Sequence, residues 1–381
     1  MYAQTVAQAI ARLHVPFVDL RRSHEQLRDV LLTEMSELLE SGAFINGPQV
    51  TAFEREFADY CGTEHAVGVA SGLDALRLAL IAAGLEPGDE VIVPASTFVA
   101  TFEAVTQAGG VPVPVDVSDA DYQLDVQRVA FAITPRTRFM MPVHLYGQMA
   151  DMKALGELAA RHGLAIVEDA CQAHGAERDG VRAGQRGLAA AFSFYPAKNL
   201  GAFGDAGALV TDDERLANEV RKLREHGQRG KYEHELEGYT ARLDTLQALV
   251  LLRKLPLLDG WNEERRAAAA FYTDRLSGVG DLVLPQVARG SKPVWHLYVV
   301  RTAEPERLAH ALRAQGIGTG RHYPIPPHLS PAYSSLGLGP GSFPVTEALA
   351  EQALSLPLFP GITDRELAAV VEAVATFFDG G

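Results

Sequence analysis

The sequence predicts an α/β fold, with a large, mostly parallel sheet covered by helices and a smaller α+β domain after it. From residue 66 onward, continuously apolar runs alternate with stretches of helical periodicity. This alternation is typical of a parallel sheet that is buried on both faces. The alternation stops after residue 241, and the length of 381 residues agrees with two domains. We therefore predict a large domain in residues 1–250 and a small domain in residues 251–381.

Two amphipathic helices are predicted before the sheet. Residues 23–42 carry apolar side chains near helical spacing and end at a glycine. Residues 44–62 turn at Asn46-Gly47-Pro48 and continue as a second amphipathic stretch. Both helices precede the first strand and are assigned to the large domain.

Strands and helices then alternate along the chain. Helices are predicted within residues 72–84, 97–109 and 151–163. Strands are predicted within residues 65–71, 89–94, 111–117, 138–147, 164–169, 189–195 and 207–212.

The C-terminal part is mainly helical. Residues 243–278 form one long helical stretch that we expect to bend at Pro256, because proline lacks the amide hydrogen that a helix interior uses. One strand is predicted within residues 295–302. Further helices are predicted within residues 305–316, 344–357 and 364–378.

Composition narrows the classes of function. The formal net charge is −14 without long runs of one sign, which disfavours nucleic acid as a partner. The two cysteines, Cys61 and Cys171, provide neither a disulfide framework nor a metal-ligand spacing, so we expect reduced thiols and no metal. The N-terminus lacks the pattern of a signal peptide, and no apolar run reaches the roughly 18 residues of a membrane helix. We therefore expect a cytoplasmic protein that does not bind membranes.

Several strands are followed by residues suited to a ligand, at the carboxyl ends where the crevice of such a sheet lies. Ser71 and Gly72 begin a helix whose free amides would bind an anion, although most turns of this kind only cap a helix. Phe98 would be either a platform for a flat ring or part of the core. Glu168 and Asp169 end a very apolar strand, where an acid either caps the next segment or faces a ligand.

Lys198 lies in "FSFYPAKNLGAFGDAGA", among small, aromatic and glycine residues. A loop lysine that simply reaches water is the plain alternative, but it does not explain the glycines. Gly201, Gly204 and Gly207 would let the backbone wrap closely around a ligand. A desolvated lysine near other cations has a lowered pKa and becomes a nucleophilic amine.

Together these features match one cofactor, pyridoxal 5′-phosphate. An anion site, an aromatic plate, a buried acid and an activated lysine correspond to its phosphate, its flat ring, its basic ring nitrogen and its aldehyde. The carboxylate would keep the ring nitrogen protonated, so that the ring accepts electrons from a carbanion. Each signal is weak alone, and the prediction depends on their convergence.

An ordered set of motifs also spans most of the chain, and it comprises "VPFVDL", "SGAFINGP", "SGLDAL", "PVHLYG", "VEDACQAHGA", "FSFYPAKNLGAFGDAGAL", "RLDTLQA" and "HYPIPPHLSPAY". The set resembles the DegT-type (DegT/DnrJ/EryC/StrS) pyridoxal-phosphate nucleotide-sugar aminotransferases. The resemblance implies the type I, aspartate-aminotransferase-like fold.

The resemblance assigns catalytic and ring-binding roles. Lys198 would bind the cofactor's aldehyde covalently and later move a proton. Asp169 would pair with the ring nitrogen. Gln172 would lie against the ring and reach its 3-oxygen, and Phe98 would stack on the other face.

The phosphate-binding residues include two departures from the family's pattern. Gly72, Leu73 and Ser193 would hold the phosphate, and Leu73 contributes only its backbone where many members have threonine. Thr240 stands where the family usually has an asparagine that reaches the phosphate of the partner subunit.

The resemblance further implies a homodimer with active sites at the interface, transferring the amino group of L-glutamate to a nucleoside-diphosphate keto-sugar. The most similar members act at C3 of thymidine-diphosphate 3-keto-6-deoxyhexoses in antibiotic deoxysugar pathways. His322, Tyr323 and His328 would line the donor or sugar site, unless they only pack a proline-rich loop. The alternatives are amination of a 4-keto nucleotide sugar or a cyclitol, dehydration of a keto-sugar, and a cofactor-binding regulator without turnover.

Overall fold

A computed structural model describes residues 13–380. The expectation that no signal peptide begins the chain depends in part on residues 1–12, which lie outside the described residues.

The strands are β1 (His65–Val69), β2 (Glu90–Pro94), β3 (Val111–Val115), β4 (Thr137–Met140), β5 (Ala165–Asp169), β6 (Glu177–Arg178), β7 (Val181–Arg182), β8 (Ala189–Ser193), β9 (Gly207–Thr211), β10 (Gln228–Gly230), β11 (Glu233–His234), β12 (Ser291–Lys292), β13 (Tyr298–Arg301) and β14 (Ala353–Leu356).

Helices surround these strands. They are α1 (Leu20–His24), α2 (Arg28–Ser41), α3 (Pro48–Cys61), α4 (Gly72–Ala82), α5 (Ala100–Gln107), α6 (Val126–Ala132), α7 (Met152–His162), α8 (Glu214–Leu223), α9 (Thr245–Lys254), α10 (Leu258–Leu276), α11 (Pro305–Ala314), α12 (Pro344–Gln352) and α13 (Asp364–Asp379). Within residues 13–380, no helix is both long enough and apolar enough to cross a membrane.

A mixed sheet organises the larger part of the molecule and confirms the predicted fold class. Its strands lie in the order β1-β9-β8-β5-β4-β2-β3, with β9 antiparallel to both neighbours and the other pairs parallel. Apart from the edge strand β3, the strands are mostly buried, because helices cover both faces with separate hydrophobic clusters. This arrangement brings the carboxyl ends of β5 and β8 side by side at one edge.

A further hydrophobic cluster joins the C-terminal helices to the pair β13 and β14. It begins at Ala268 in the middle of α10 and also contains Val15 from the N-terminal segment. Val15 forms a parallel bridge with Ile317. The division of the chain at residue 250 stays a prediction.

Two predicted elements were wrong in part. The strand expected over residues 138–147 ends at Met140, since Pro142 has no amide for the ladder and the chain turns at Tyr146 and Gly147 with positive φ. The helix expected over 344–357 ends at Gln352 and continues as β14, which pairs with β13. These four residues have a helical pattern in the sequence, but they form a strand because the pairing with β13 buries all of them. The small part therefore contains a pair of four-residue strands, β13 and β14, where one strand was predicted.

The long C-terminal helical stretch bends where the sequence indicated. Helix α9 ends at Lys254, a single 3₁₀ turn covers Leu255–Leu257, and α10 begins at Leu258. The proline at position 256 explains this interruption, because it removes one helical hydrogen bond. Helices α6 and α8 were not predicted from the sequence.

Candidate active site

A cavity of about 490 Å³ opens at the carboxyl ends of β5 and β8. Its wall combines the starts of α4 and α5, the loop between β8 and β9, and residues of the C-terminal part. The site residues predicted from the sequence that line it are Gly72, Leu73, Phe98, Asp169, Gln172, Ser193, Lys198, His322 and Tyr323.

Lys198 lies in the loop between β8 and β9, where its amide donates to the carbonyl of Tyr195 at 2.8 Å. Its amino group forms no hydrogen bond or ion pair with any other residue of the described chain. Burial lowers the pKa of Lys198, while the fields of Cys171 and Asp169 act in the opposite direction. Nearby cations, which the sequence analysis gives as a further cause, do not lower the pKa of Lys198; burial alone does.

The glycines around Lys198 also have a different role from the one predicted. A Cβ at Gly201 would lie 2.2 Å from the carbonyl oxygen of Pro196, and one at Gly207 would lie 2.3 Å from the carbonyl carbon of Ser71. Gly204 instead faces the side chain of Gln247. These glycines therefore let the protein pack tightly on itself, and the Gly207 contact fixes the start of α4 against β9.

Two adjacent carboxylates at the end of β5 have opposite environments. Glu168 is fully buried and accepts hydrogen bonds from His144 Nε2 at 2.8 Å and from the amides of Gly184, Arg186 and Gly187. Burial would raise the pKa of Glu168, but these hydrogen bonds lower it. Glu168 is thus saturated by the protein itself, which answers the question the sequence left open for this residue.

Asp169 faces the cavity. One oxygen accepts from Thr101 Oγ1 at 2.8 Å and the other from the amide of Cys171 at 3.2 Å. A carboxylate has about four acceptor positions, so two remain for a ligand. Thr101, held by Thr97 at 2.7 Å, is a supporting residue that sequence reasoning missed.

The start of α4 provides free amides beside the cavity. Ser71 caps the helix by accepting from the amide of Asp74 at 3.0 Å, which leaves the amides of Gly72 and Leu73 available at the positive end of the helix dipole. A Cβ at Gly72 would lie 2.6 Å from Cys171 Sγ. Glycine is therefore needed there for α4 to approach the ends of β5 and β8.

Gln172 links two further parts of the wall. Its Oε1 accepts from the amide of Tyr146 at 2.7 Å, and its Nε2 donates to the hydroxyl of Tyr323 at 3.2 Å. The Tyr323 ring lies 5.3 Å from the ring of Phe98, which is half exposed. The hydroxyl of Tyr146 donates to the carbonyl of His322. These contacts position the amide and both rings around one space.

Two predicted site residues do not reach this cavity in the single chain. Thr240 is exposed, and its hydroxyl lies 3.3 Å from Nε2 of His226. His328 is buried, pairs with Glu347 at 3.2 Å and packs edge-on against Phe343. The assignments of Thr240 and His328 stay predictions.

Sequence reasoning missed two side chains of the wall, His296 and Arg265. Nδ1 of His296 lies 3.3 Å from Oδ1 of Asn199, the residue after Lys198. Burial, followed by the field of Lys198, lowers the pKa of His296 well below its ordinary value, so the imidazole is neutral. A signal for Arg265 was present, because it lies on the apolar stripe of α10 between Trp261 and Ala268.

A buried lysine, Lys254, lies behind the loop that carries Lys198. Its amino group donates to the carbonyl of Gly201 and to Nε2 of His24 at 3.1 Å. The rings of Phe203 and Trp261 each lie 5.8 Å from the nitrogen. Burial lowers the pKa of Lys254 to about 8. This contact anchors the loop that carries Lys198.

The site fits pyridoxal 5′-phosphate. The free amides of α4 suit the phosphate, and the open acceptor positions of Asp169 suit a protonated ring nitrogen. The amine of Lys198, which has no partner within residues 13–380, suits an aldehyde. These three groups surround one cavity, with Gln172 and Phe98 beside it.

Comparison with known proteins gives a consistent result. The family model described as "DegT/DnrJ/EryC1/StrS aminotransferase family" matches residues 25–375. One similar protein is the dTDP-3-amino-3,4,6-trideoxy-alpha-D-glucose transaminase of Streptomyces venezuelae. It is 51% identical over 360 residues, which cover 94% of this chain and 95% of that protein.

Solved structures agree. The crystal structure of S. venezuelae DesV in complex with a ketimine intermediate has a TM-score of 0.94 at 50% identity, and the match covers 96% of this chain and 99% of that one. The structure of NtdA from Bacillus subtilis with bound cofactor PMP has a TM-score of 0.89 at 32% identity, covering 98% of this chain and 86% of that one.

Proposed function

This chain belongs to the DegT/DnrJ/EryC1/StrS aminotransferase family and is a pyridoxal-phosphate-dependent aminotransferase, and we propose that it aminates C3 of a thymidine-diphosphate 3-keto-6-deoxyhexose with L-glutamate as donor. The substrate is proposed from the similar proteins, whose names include dTDP-3-amino-sugar transaminases from Streptomyces venezuelae and Aneurinibacillus thermoaerophilus. The observation that carries the chemistry is that the amine of Lys198 and the carboxylate of Asp169 line one cavity.

The cavity residues would have distinct roles in binding the cofactor and in moving the proton. When bound, pyridoxal phosphate supplies an electron sink for a carbanion. The amides of Gly72 and Leu73, with Ser193, would hold its phosphate. Asp169 would keep a proton on the ring nitrogen, and Gln172 and Phe98 would fix the ring plane. Burial lowers the pKa of Lys198, which favours the neutral form of its amine. This amine would take the proton from the donor's α-carbon and later return one.

The lysine at position 198 favours amination over dehydration of the sugar. The resemblance noted in the sequence implies that members acting as dehydratases carry histidine at this position. Lys198 is present here and its amine is unengaged within the described chain. A general base at Nζ is what proton transfer at the α-carbon requires.

A homodimer would complete the site. Phe44 and Ile45, in the segment "SGAFING", are adjacent apolar residues that are about half exposed in the single chain, which is consistent with an interface at this segment. Thr240, in "GYTARLD", would approach the phosphate bound by the partner subunit. In that arrangement His226, which contacts Thr240, would approach it as well.

The experiment is turnover of purified enzyme against a panel of 3-keto and 4-keto nucleotide sugars with L-glutamate, with products identified by mass. The proposal expects an amino-sugar and an equal amount of 2-oxoglutarate from the 3-keto thymidine-diphosphate sugar. If the enzyme preferred a 4-keto sugar, the aminated carbon would be C4 instead of C3. A product that has lost water, without 2-oxoglutarate, would refute transamination.

A further inference from the structure

A buried arginine in the cavity wall has no acidic partner in the part of the chain that the structure describes. Arg265 lies on α10, is 3% exposed, and forms no ion pair with any carboxylate of residues 13–380. An unpaired buried charge is costly unless hydrogen bonds or a bound ion of opposite sign compensate it. The arginine therefore needs an explanation that the roles of Lys198 and Asp169 do not supply.

The protein holds the guanidinium by one nitrogen. Nη1 donates to the carbonyl oxygens of Leu358 at 2.9 Å, Trp295 at 3.2 Å and His296 at 3.4 Å. Nε is buried without a hydrogen-bond partner, and Nη2 donates to no residue of the described chain. The backbone therefore holds the Nη1 side of the guanidinium. The N–H groups of Nε and Nη2 remain without a partner in the described chain, on a side chain that lines the cavity.

The guanidinium carries its charge at neutral pH. Burial lowers the pKa of Arg265 to about 10, and the field of Glu264 acts in the opposite direction. The other acids of the cavity wall besides Asp169 are Glu103 and Asp205, and neither pairs with Arg265. Lys198 and Arg265 are the cations of the wall, so Arg265 is the one that the proposed chemistry leaves unassigned.

We propose that Arg265 binds a carboxylate of the amino donor and of the 2-oxo acid that it becomes. The inference deepens the proposed function and depends on it. A planar guanidinium with unused N–H groups matches the geometry of a carboxylate, which is small enough to reach a group that is almost completely buried. A nucleoside diphosphate is bulkier and would need a cation nearer the mouth of the cavity.

The test measures binding of glutarate, a dicarboxylate without an amino group, to the cofactor-loaded enzyme by calorimetry. Arg265→Gln is expected to weaken glutarate binding by roughly 30-fold or more, because it removes a charge-assisted hydrogen bond in a buried site. The KM for glutamate is expected to rise by a similar factor, with the KM for the nucleotide sugar within about 2-fold. Arg266→Gln is the matched control, because Arg266 pairs with Glu263 and does not line the cavity.

Each outcome decides the proposal. Unchanged glutarate binding in a folded Arg265→Gln enzyme would overturn it, and so would an equal loss of binding for thymidine diphosphate, which would assign Arg265 to the nucleotide. If the glutamine variant does not fold, Arg265→Lys takes its place, because it keeps the charge but not the planar fork, and unchanged binding there also overturns the proposal. Glutarate binding needs no sugar, so the test stands even if the sugar proposed as substrate is wrong.

Discussion

Two lysines are associated with the loop between β8 and β9: Lys198 belongs to it and is partly buried, and Lys254 lies behind it and is buried. Lys198 lines the cavity and its amino group forms no hydrogen bond within the described residues. The amino group of Lys254, in contrast, donates to Gly201 and His24 and is flanked by two aromatic rings. Burial lowers the pKa of both. Burial alone therefore does not identify a reactive lysine. The difference lies in whether the amine is already occupied by the protein, since a satisfied buried group stabilises structure and an unsatisfied one is available for chemistry.

The two carboxylates of β5 repeat this contrast. Glu168 is occupied by His144 and three backbone amides, and Asp169 keeps open acceptor positions toward the cavity. In each pair the occupied residue supports the unoccupied one. Lys254 anchors the loop of Lys198, and Glu168 fixes the strand end that presents Asp169.

The largest expected effect is that of Lys198→Ala. The variant should lose turnover completely and lose the visible absorbance of the lysine-bound cofactor, because no other amine without a partner lines the cavity within residues 13–380. Far-ultraviolet circular dichroism should remain unchanged. Lys222→Ala, which removes an exposed lysine paired with Glu219 and Glu235, is the control and should retain full activity. Full turnover by Lys198→Ala would remove Lys198 from the mechanism.

Asp169→Asn should have the next largest effect. An amide cannot hold the ring nitrogen in its protonated form, so kcat should fall by about 100-fold or more while the cofactor stays bound. Stopped-flow turnover together with the cofactor content of the purified protein measures both quantities.

Glu168→Gln sharpens this contrast between the acids. It should mainly lower the free energy of unfolding, since it disturbs a saturated buried carboxylate. If Asp169→Asn turned over at a near-normal rate, the acid that faces the cavity would have another role.

Lys254→Met should have an intermediate effect. Loss of the donor to Gly201 should loosen the 196–201 turn and lower kcat by roughly 10-fold, with the KM for glutamate little changed, because misplacement of a catalytic amine affects the reacting geometry. Hydrogen exchange of the apoenzyme should show faster exchange in a peptide covering residues 194–206. Equal exchange and equal kcat in the two proteins would show that Lys254 does not position Lys198.

The smallest expected effect is on stability as a function of pH. Since the pKa of Lys254 is lowered from 10.5 to about 8 in the folded protein, the folded state releases this proton more easily than the unfolded state. Its burial cost is therefore fully present below pH 8 and disappears as the pH rises toward 10.5. Relative to Lys254→Met, the parent protein should gain up to about 3 kcal/mol of unfolding free energy over that interval. Urea denaturation at pH 7 and pH 10 measures the difference, and no change in it would mean that Lys254 titrates normally.

The sequence predicted the sheet because continuous apolar strands leave a clear periodic signal. It failed at β14, where four residues of helical pattern are stabilised as a strand by a partner far away in the chain. Strand-end residues such as Asp169 and Lys198 were identifiable because the topology brings strand ends together. Arg265 was missed although it lies on the apolar stripe of α10. Lys254 was not identifiable, because a lysine at the end of a helix resembles a surface residue until its burial is known. The role proposed for Thr240 depends on a second subunit, which one sequence does not describe.

The bridge between Val15 and Ile317 has a consequence for any attempt to divide the chain. The amide of Val15 donates to the carbonyl of Gly316, and its carbonyl accepts from the amide of Gly318. The hydrophobic cluster around β13 therefore takes one of its residues from about 250 positions upstream. A fragment made of residues 251–381 would lack Val15 and would expose the apolar side chains that Val15 covers. A stable fragment of the small unit therefore has to include the N-terminal segment that contains Val15.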